Sequence, residues 1–342
     1  MLIEQEIIME STETPYKRNA VDILKNPLAS SHAAAIVETA DGSLIASWFS
    51  GTWEKELDVA VVYRKKAPGS TEWSEVKVLH KTPGRFEGNS CYLVDKEGKI
   101  WAFFNTATRG WTLNWIRYKI STDNGETWSQ PFWFRKIYGW LIRDRPIILA
   151  NGDWVLPTYS EVLGYRSFVN ISSDEGKTWK KHGRVGPHCL QPNVVQLRDG
   201  SLLMYCRVDT LKRIHQSRST DNGRHWSRIE PTRFKNPNAG ISLLALKNGN
   251  LVLVWNESER ERCPLNVALS EDDGKTWPHV KALETDSRLA LSLSGTEPRK
   301  SGEYSYPYSI QARDGTIHVV HTVGRRQIKH WHFDEEWLMS KD

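Results

Sequence analysis

Short runs of alternating apolar and polar residues recur along the whole chain, each broken by an acidic or amide residue followed by glycine. The breaks are Asp41-Gly42, Glu97-Gly98, Asn151-Gly152, Asp199-Gly200, Asn248-Gly249 and Asp314-Gly315. Val194-Val195-Gln196-Leu197 before one break and Leu202-Leu203-Met204-Tyr205 after it are typical flanks. Successive strand side chains point to opposite faces, and glycine supplies the positive φ of a tight turn, so each break reads as a β-hairpin. Six hairpins predict an all-β chain, a six-bladed β-propeller of four-stranded antiparallel blades.

A second repeat supports the same count. The pattern S-x-D-x-G-x-T-W occurs at Ser121 to Trp128, Ser172 to Trp179, Ser219 to Trp226 (with His225 in place of Thr) and Ser270 to Trp277. A decayed copy lies at Ser70-Thr71-Glu72-Trp73. Successive tryptophans are roughly 50 residues apart, about one blade. Asp can accept hydrogen bonds from turn N–H groups, Gly permits positive φ, and Trp packs the turn on the blade. Asp123, Asp174, Asp221 and Asp272 are therefore structural. Residues 1–342 read as one domain, with 1–20 as an N-terminal extension and the blades over about 21–337. The strand that closes the ring is expected from Val21 to Leu24.

Composition narrows the function classes. Of 342 residues, 39% are hydrophobic and 25% charged, which fits a folded chain. No apolar run approaches the roughly 18 residues of a membrane span. The segment Met1 to Ala20 is polar and acidic, so a cytoplasmic protein is expected, or a secreted one whose leader has been removed. Four separated cysteines without a CxxC pair favour buried free thiols. No cofactor motif and no metal-ligand spacing appear, although His330 and His332 would share one strand face. A net charge of +5, spread along the chain, speaks against nucleic acid and for an acidic small partner. The sixteen tryptophans exceed what a core needs, and aromatic faces suit sugar rings.

The hairpin glycines also serve as a ruler. Nine residues before each stand Ala33, Asn89, Arg143, Gln191, Gly240 and Tyr306. Seven residues after each stand Phe49, Asn105, Tyr159, Arg207, Asn256 and Thr322. In a propeller both positions fall on one rim of the central channel. Their polar character, with His32 beside Ala33, predicts a pocket for a polar ligand. Arg143, Arg207, Gln191, Asn89, Asn105, Tyr159 and Asn256 are the candidate substrate-binding residues on this ruler.

With its four boxes and six blades, the chain resembles the sialidase superfamily, the Asp-box or bacterial neuraminidase repeat proteins, over almost its full length. That resemblance implies an arginine triad for the substrate carboxylate, a tyrosine nucleophile assisted by a glutamate, and an acid on a mobile loop. Tyr306 falls where the nucleophile belongs, Arg207 where the second arginine belongs, and Arg262 could serve as the third. The family's first arginine opens blade one in a Phe-Arg-Ile-Pro stretch, where this chain reads Ser31-His32-Ala33-Ala34. At the glutamate position it reads Leu190-Gln191-Pro192, and an amide cannot take a proton from tyrosine.

The expected function is an exo-type glycoside hydrolase acting on an acidic-sugar-containing glycan, sialidase-like with an altered catalytic set. Tyr306 would attack, Glu54 or Glu161 would protonate the leaving oxygen, and Arg207 with Arg262 would grip a carboxylate. Two alternatives stand beside it. One is a uronate-directed lyase with His32 or His188 as base, Arg207 or Arg143 on the carboxylate and Tyr306 as acid. The other is a glycan-binding propeller without chemistry.

Overall fold

The computed structural model describes residues 3–9, 30–162, 164–288 and 303–341. Six four-stranded antiparallel sheets make up the described structure, each a blade. Their innermost strands are Ser30–Glu38, Phe86–Val94, Ile147–Ile148, Cys189–Gln196, Ser242–Ala245 and Tyr304–Gln311. In every blade the inner strand turns into the second at one of the six glycines, whose φ runs from 80° to 97°.

The ring closes differently from the sequence expectation. The outermost strand of blade six is Ile3–Met9, paired antiparallel with Gln327–Phe333. The segment 1–20 is thus not a mere extension: part of it is a blade strand. Val21 to Leu24 lie outside the described residues. Alternation in both segments is compatible with a strand, so pattern alone could not choose between them.

The boxes hold turns between third and fourth strands. In the first, Thr127 N and Ser121 Oγ donate to Asp123 Oδ1 at 2.9 and 2.7 Å, and Gly125 N donates to Ser121 Oγ at 2.9 Å. Hydrogen bonds from Thr127 hold the Asp123 carboxyl down at about 2. In the third box His225 takes the threonine's part, its N–H donating to Asp221 Oδ1 at 2.8 Å. The box tryptophans wedge one blade against the previous one. Trp179 of blade three packs on Phe103 and Phe134 of blade two, and Trp277 of blade five on Tyr205 and Phe234 of blade four. All four cysteines are buried free thiols. Among the described residues no helix is long and apolar enough to cross a membrane.

Candidate functional site

Antiparallel order puts the starts of the inner strands, the ends of the second strands and the second-to-third connections at one end of the channel, opposite the glycine turns. A cavity of about 210 Å³ opens there. Its floor comes from the ruler positions, and a backbone irregularity aims them. The pairing of inner and second strands slips between His32 and Ala35, Glu87 and Ser90, Leu190 and Asn193, and Ser305 and Tyr308. Such bulges re-aim a side chain. At three of them a non-glycine residue sits at positive φ: Ala33 at 57°, Gln191 at 49° and Tyr306 at 55°. Each such conformation costs about 1–3 kcal/mol and persists where surrounding structure imposes it.

Tyr306 is the centre of the cavity's polar network. Arg207 Nη1 donates to its phenol oxygen at 2.6 Å and to Gln191 Oε1 at 3.0 Å. Gln191 Nε2 donates to the same phenol oxygen at 3.1 Å. Both lone pairs of that oxygen are therefore engaged, an arrangement suited to a phenolate. The guanidinium carbons of Arg143, Arg262 and Arg207 lie 5.2, 5.4 and 5.7 Å from the ring centroid. Burial alone would raise the pKa of Tyr306. The charges of Arg207 and Arg262, helped by the Gln191 hydrogen bond, outweigh burial and Glu54 and bring it below the ordinary tyrosine value. Gly240 makes room for this pair, since a Cβ there would come within 3.3 Å of Gln191 Oε1 and 3.4 Å of the Tyr306 ring.

The second-to-third connections build the walls, and they hold what the ruler missed. Blade one contributes Glu54 and Lys55, blade two Trp111, blade three Glu161 and Tyr165, blade four Asp209, blade five Arg262 and blade six Arg325. Arg262 Nη1 donates to the buried Glu303 Oε1 at 2.8 Å, and Arg325 Nε to Glu303 Oε2 at 3.3 Å. Arg325 also pairs with Glu54, whose other oxygen accepts from Trp111 Nε1 at 3.0 Å. A third guanidinium thus lines the cavity, supplied from the far end of the chain. The backbone carbonyl of Arg325 accepts from Ser31 N, so it lies beside the stretch where the family's first arginine was sought.

The two candidate acids are shifted in opposite directions. Burial would raise Glu54, but the charge and hydrogen bond of Arg325, with the Trp111 N–H and Lys55, bring it below the ordinary carboxylate value. Burial raises Glu161, and Arg207 and Lys55 do not offset it while Glu54 adds to it. The two environments therefore favour the ionised form of Glu54 and the protonated form of Glu161 relative to a carboxyl in water. Tyr159, pushed up by burial and hydrogen-bonded to Gln191, stays a neutral phenol.

Four sequence candidates stand elsewhere than expected. Arg143 is 1% exposed beneath the floor, where Nη2 donates to Pro307 O at 2.8 Å and supports the Tyr306 bulge. Asn105 is fully buried and clasps blade three, Nδ2 donating to Ile142 O at 2.9 Å and Oδ1 accepting from Ile142 N at 3.2 Å. Asn256 clasps blade six through Tyr304 O at 2.9 Å. Thr322 at the same ruler position accepts from Ala33 N at 3.0 Å, so this place in the blade binds neighbouring backbone. His188 lies off the cavity with Nδ1 2.9 Å from Asp209 Oδ1. Asn89, Gln191, Tyr159, Arg207, Arg262, Glu54, Glu161, His32 and Tyr306 do line the cavity. His32 is 2% exposed, its Nδ1 3.1 Å from Thr322 Oγ1 and its ring 4.4 Å from that of Tyr306. Among the described residues no group of three or more metal-ligating side chains is arranged around an ion site.

The sequence profile of the BNR repeat-like domain matches residues 42–319. The chain belongs to the BNR repeat-like domain family. It is 24% identical over 352 residues to a sialidase of Micromonospora viridifaciens, covering 89% of this chain and 51% of that protein. It is 25% identical over 178 residues to a sialidase of Bacteroides fragilis, covering 46% and 32% respectively. The chain thus spans about half of the first relative and a third of the second. Among solved structures, a Hadza microbial sialidase aligns with a TM-score of 0.76 at 18% identity, over 91% of this chain and 66% of that one. A Dyadobacter fermentans protein of unknown function aligns at 0.76 and 16% identity, over 96% and 98%. The intramolecular trans-sialidase of Ruminococcus gnavus aligns at 0.72 and 13% identity, over 91% and 96%. At these identities the structural likeness is one of fold. This BNR-family chain is a divergent member of the sialidase superfamily.

Proposed function

We propose that the protein is a sialidase-like glycoside hydrolase that removes a terminal sugar bearing a carboxylate. One observation carries this reading: Tyr306 is held at a strained bulge with two donors on its phenol oxygen and a cluster of guanidiniums around it. Tyr306, its proton lost to solvent, attacks the anomeric carbon as the phenolate while Glu161 gives its proton to the leaving oxygen, the bond to that oxygen breaks, and an aryl glycoside of Tyr306 forms. A water, deprotonated by the Glu161 carboxylate, then attacks the same carbon and releases Tyr306. Gln191 takes no proton in this scheme; Arg207 and Arg262 do electrostatically what a base would do by proton transfer. Arg207, Arg262 and Arg325 face the same space and match a carboxylate through their planar forks.

Aryl glycosides of nonulosonic acids, hexuronic acids and neutral hexoses form the test panel. Release from an acidic glycoside, none from the neutral ones, and loss of release in Tyr306→Phe are expected. Full activity in Tyr306→Phe would remove the nucleophile assignment. Tight binding of acidic sugars without release would make the protein a glycan-binding propeller.

A further inference from the structure

Blade two carries an aromatic surface on its outer side that the cavity does not use. Of the fourteen large hydrophobic side chains that the described residues leave exposed, five lie here: Leu113, Trp133, Ile137 and Tyr138, with Val162 from the adjoining blade-three connection. The half-buried Trp115 ties the centre together, its ring 6.2 Å from Trp133 and 6.5 Å from Tyr138, at 75° and 70°. Arginines back the tryptophans, with Arg85 4.7 Å from the Trp115 ring and Arg117 4.8 Å from the Trp133 ring. Rings fixed by cations and set at steep angles present separate faces, and each face suits the C–H side of a sugar.

This surface is continuous with the cavity wall. Val162 follows Glu161, and its Cγ2 lies 3.2 Å from where a Cβ on Gly139 would stand. The same point is 3.6 Å from Thr112 O, next to the wall residue Trp111. Gly139 N donates to Asn114 O at 2.8 Å, which anchors Tyr138 beside Trp115. A path therefore runs from Glu161 over Val162 and Tyr138 to Trp115 and Trp133. Its charge is one-sided. Between Phe104 and Trp140 stand Arg109, Arg117, Lys119, Arg135 and Lys136, whereas Asp123 and Glu126 are the acids there and both belong to the box turn at the opposite end.

We propose that this aromatic, basic surface holds the leaving-group portion of an acidic glycan substrate. The proposal rests on the hydrolase reading for its direction, because the group that protonates the leaving oxygen marks the side on which the rest of the glycan emerges. Glu161 is that group, and the surface begins at the next residue. A basic rim favours further anionic sugars along the same chain.

The test compares a short and a long substrate on parent protein, Trp133→Ala, Tyr138→Ala and Tyr138→Phe. The expected result is a KM about tenfold higher for an acidic oligosaccharide in each alanine variant, the loss of one good ring contact. kcat, and KM for the acidic aryl monosaccharide, stay at parental values, and Tyr138→Phe keeps the parental KM. Equal effects on both substrates, or none on either, overturn the proposal. If no substrate is turned over, the hydrolase reading fails separately, and affinity electrophoresis in polysialic acid and in hyaluronan fragments decides the surface. Retardation that both alanine variants lose supports it; retardation that they keep, or none in the parent, overturns it. Light scattering that shows a parental dimer broken by Trp133→Ala would assign the surface to a second copy of the chain and also overturn it.

Discussion

Gln191→Glu would separate electrostatic activation of Tyr306 from activation by a base. The substitution keeps the side chain's shape but replaces the Nε2 donor, 3.1 Å from the phenol oxygen, with a carboxylate oxygen. Two unit charges at that separation repel by about 5 kcal/mol at an effective dielectric of roughly 20. Arg207 Nη1, 3.0 Å from Oε1, stabilises the new carboxylate and offsets part of this. Even a residual of about 1.4 kcal/mol raises the proton affinity of the phenol tenfold. The assay is a titration of the near-ultraviolet tyrosinate band, with Tyr306→Phe subtracted from parent and variant alike. In the parent Tyr306 ionises below the ordinary tyrosine value, and in Gln191→Glu at clearly higher pH. Identical titrations in the two proteins would refute the idea that the amide donor and the arginines set the state of this phenol.

Three further outcomes follow from the same structure. Glu161→Gln lowers turnover by about 10²–10⁴ on substrates with poor leaving groups and far less on activated aryl glycosides, whereas Glu54→Gln mainly costs stability, about 2 kcal/mol, because the amide has no charge for Arg325 and one acceptor oxygen where Arg325 and Trp111 now use two; kcat on both substrate types and thermal melts check this. Asn105→Ala leaves the Ile142 N–H without its buried acceptor, while Asn89 Nδ2 still donates to Ile142 O, and lowers unfolding free energy by about 1–3 kcal/mol with unchanged KM, as a denaturant titration would measure. Burial and the charges of His330 and His332 hold His318 down at about 3, so as pH falls below the ordinary histidine value of about 6.5 the unfolded chain takes up the proton first. Stability is then lost progressively between about pH 6.5 and 3, and His318→Gln makes the fall in melting temperature over that window shallower, leaving the part due to His80 and His330, which burial also holds down.

The architecture was legible because it is repeated: six glycine turns and four boxes carry the same instruction at each blade. The ruler also found the cavity floor, since bulges recur at one distance from the turns and bring Gln191 and Tyr306 to the same place. It overreached at Asn105 and Asn256, where a polar side chain serves a neighbouring backbone, a use that composition cannot distinguish from ligand binding. Arg325 and Trp111 escaped because the second-to-third connections differ in length between blades and share no fixed offset. A search of those six connections for charged and aromatic residues would have named both. The closing strand was misplaced for another reason: pairing with the distant Gln327–Phe333 is a tertiary fact that alternation does not encode.

The most direct measurement of the central claim is the site of a trapped covalent intermediate. An acidic glycosyl fluoride with an electron-withdrawing fluorine beside the anomeric carbon forms the first bond readily and releases it slowly. After incubation, digestion and mass spectrometry, the added mass is expected on the peptide at Tyr306, and absent from Tyr306→Phe. An adduct on Glu54 or Glu161, or turnover of an acidic glycoside with no adduct anywhere, would contradict a phenolate nucleophile in this cavity.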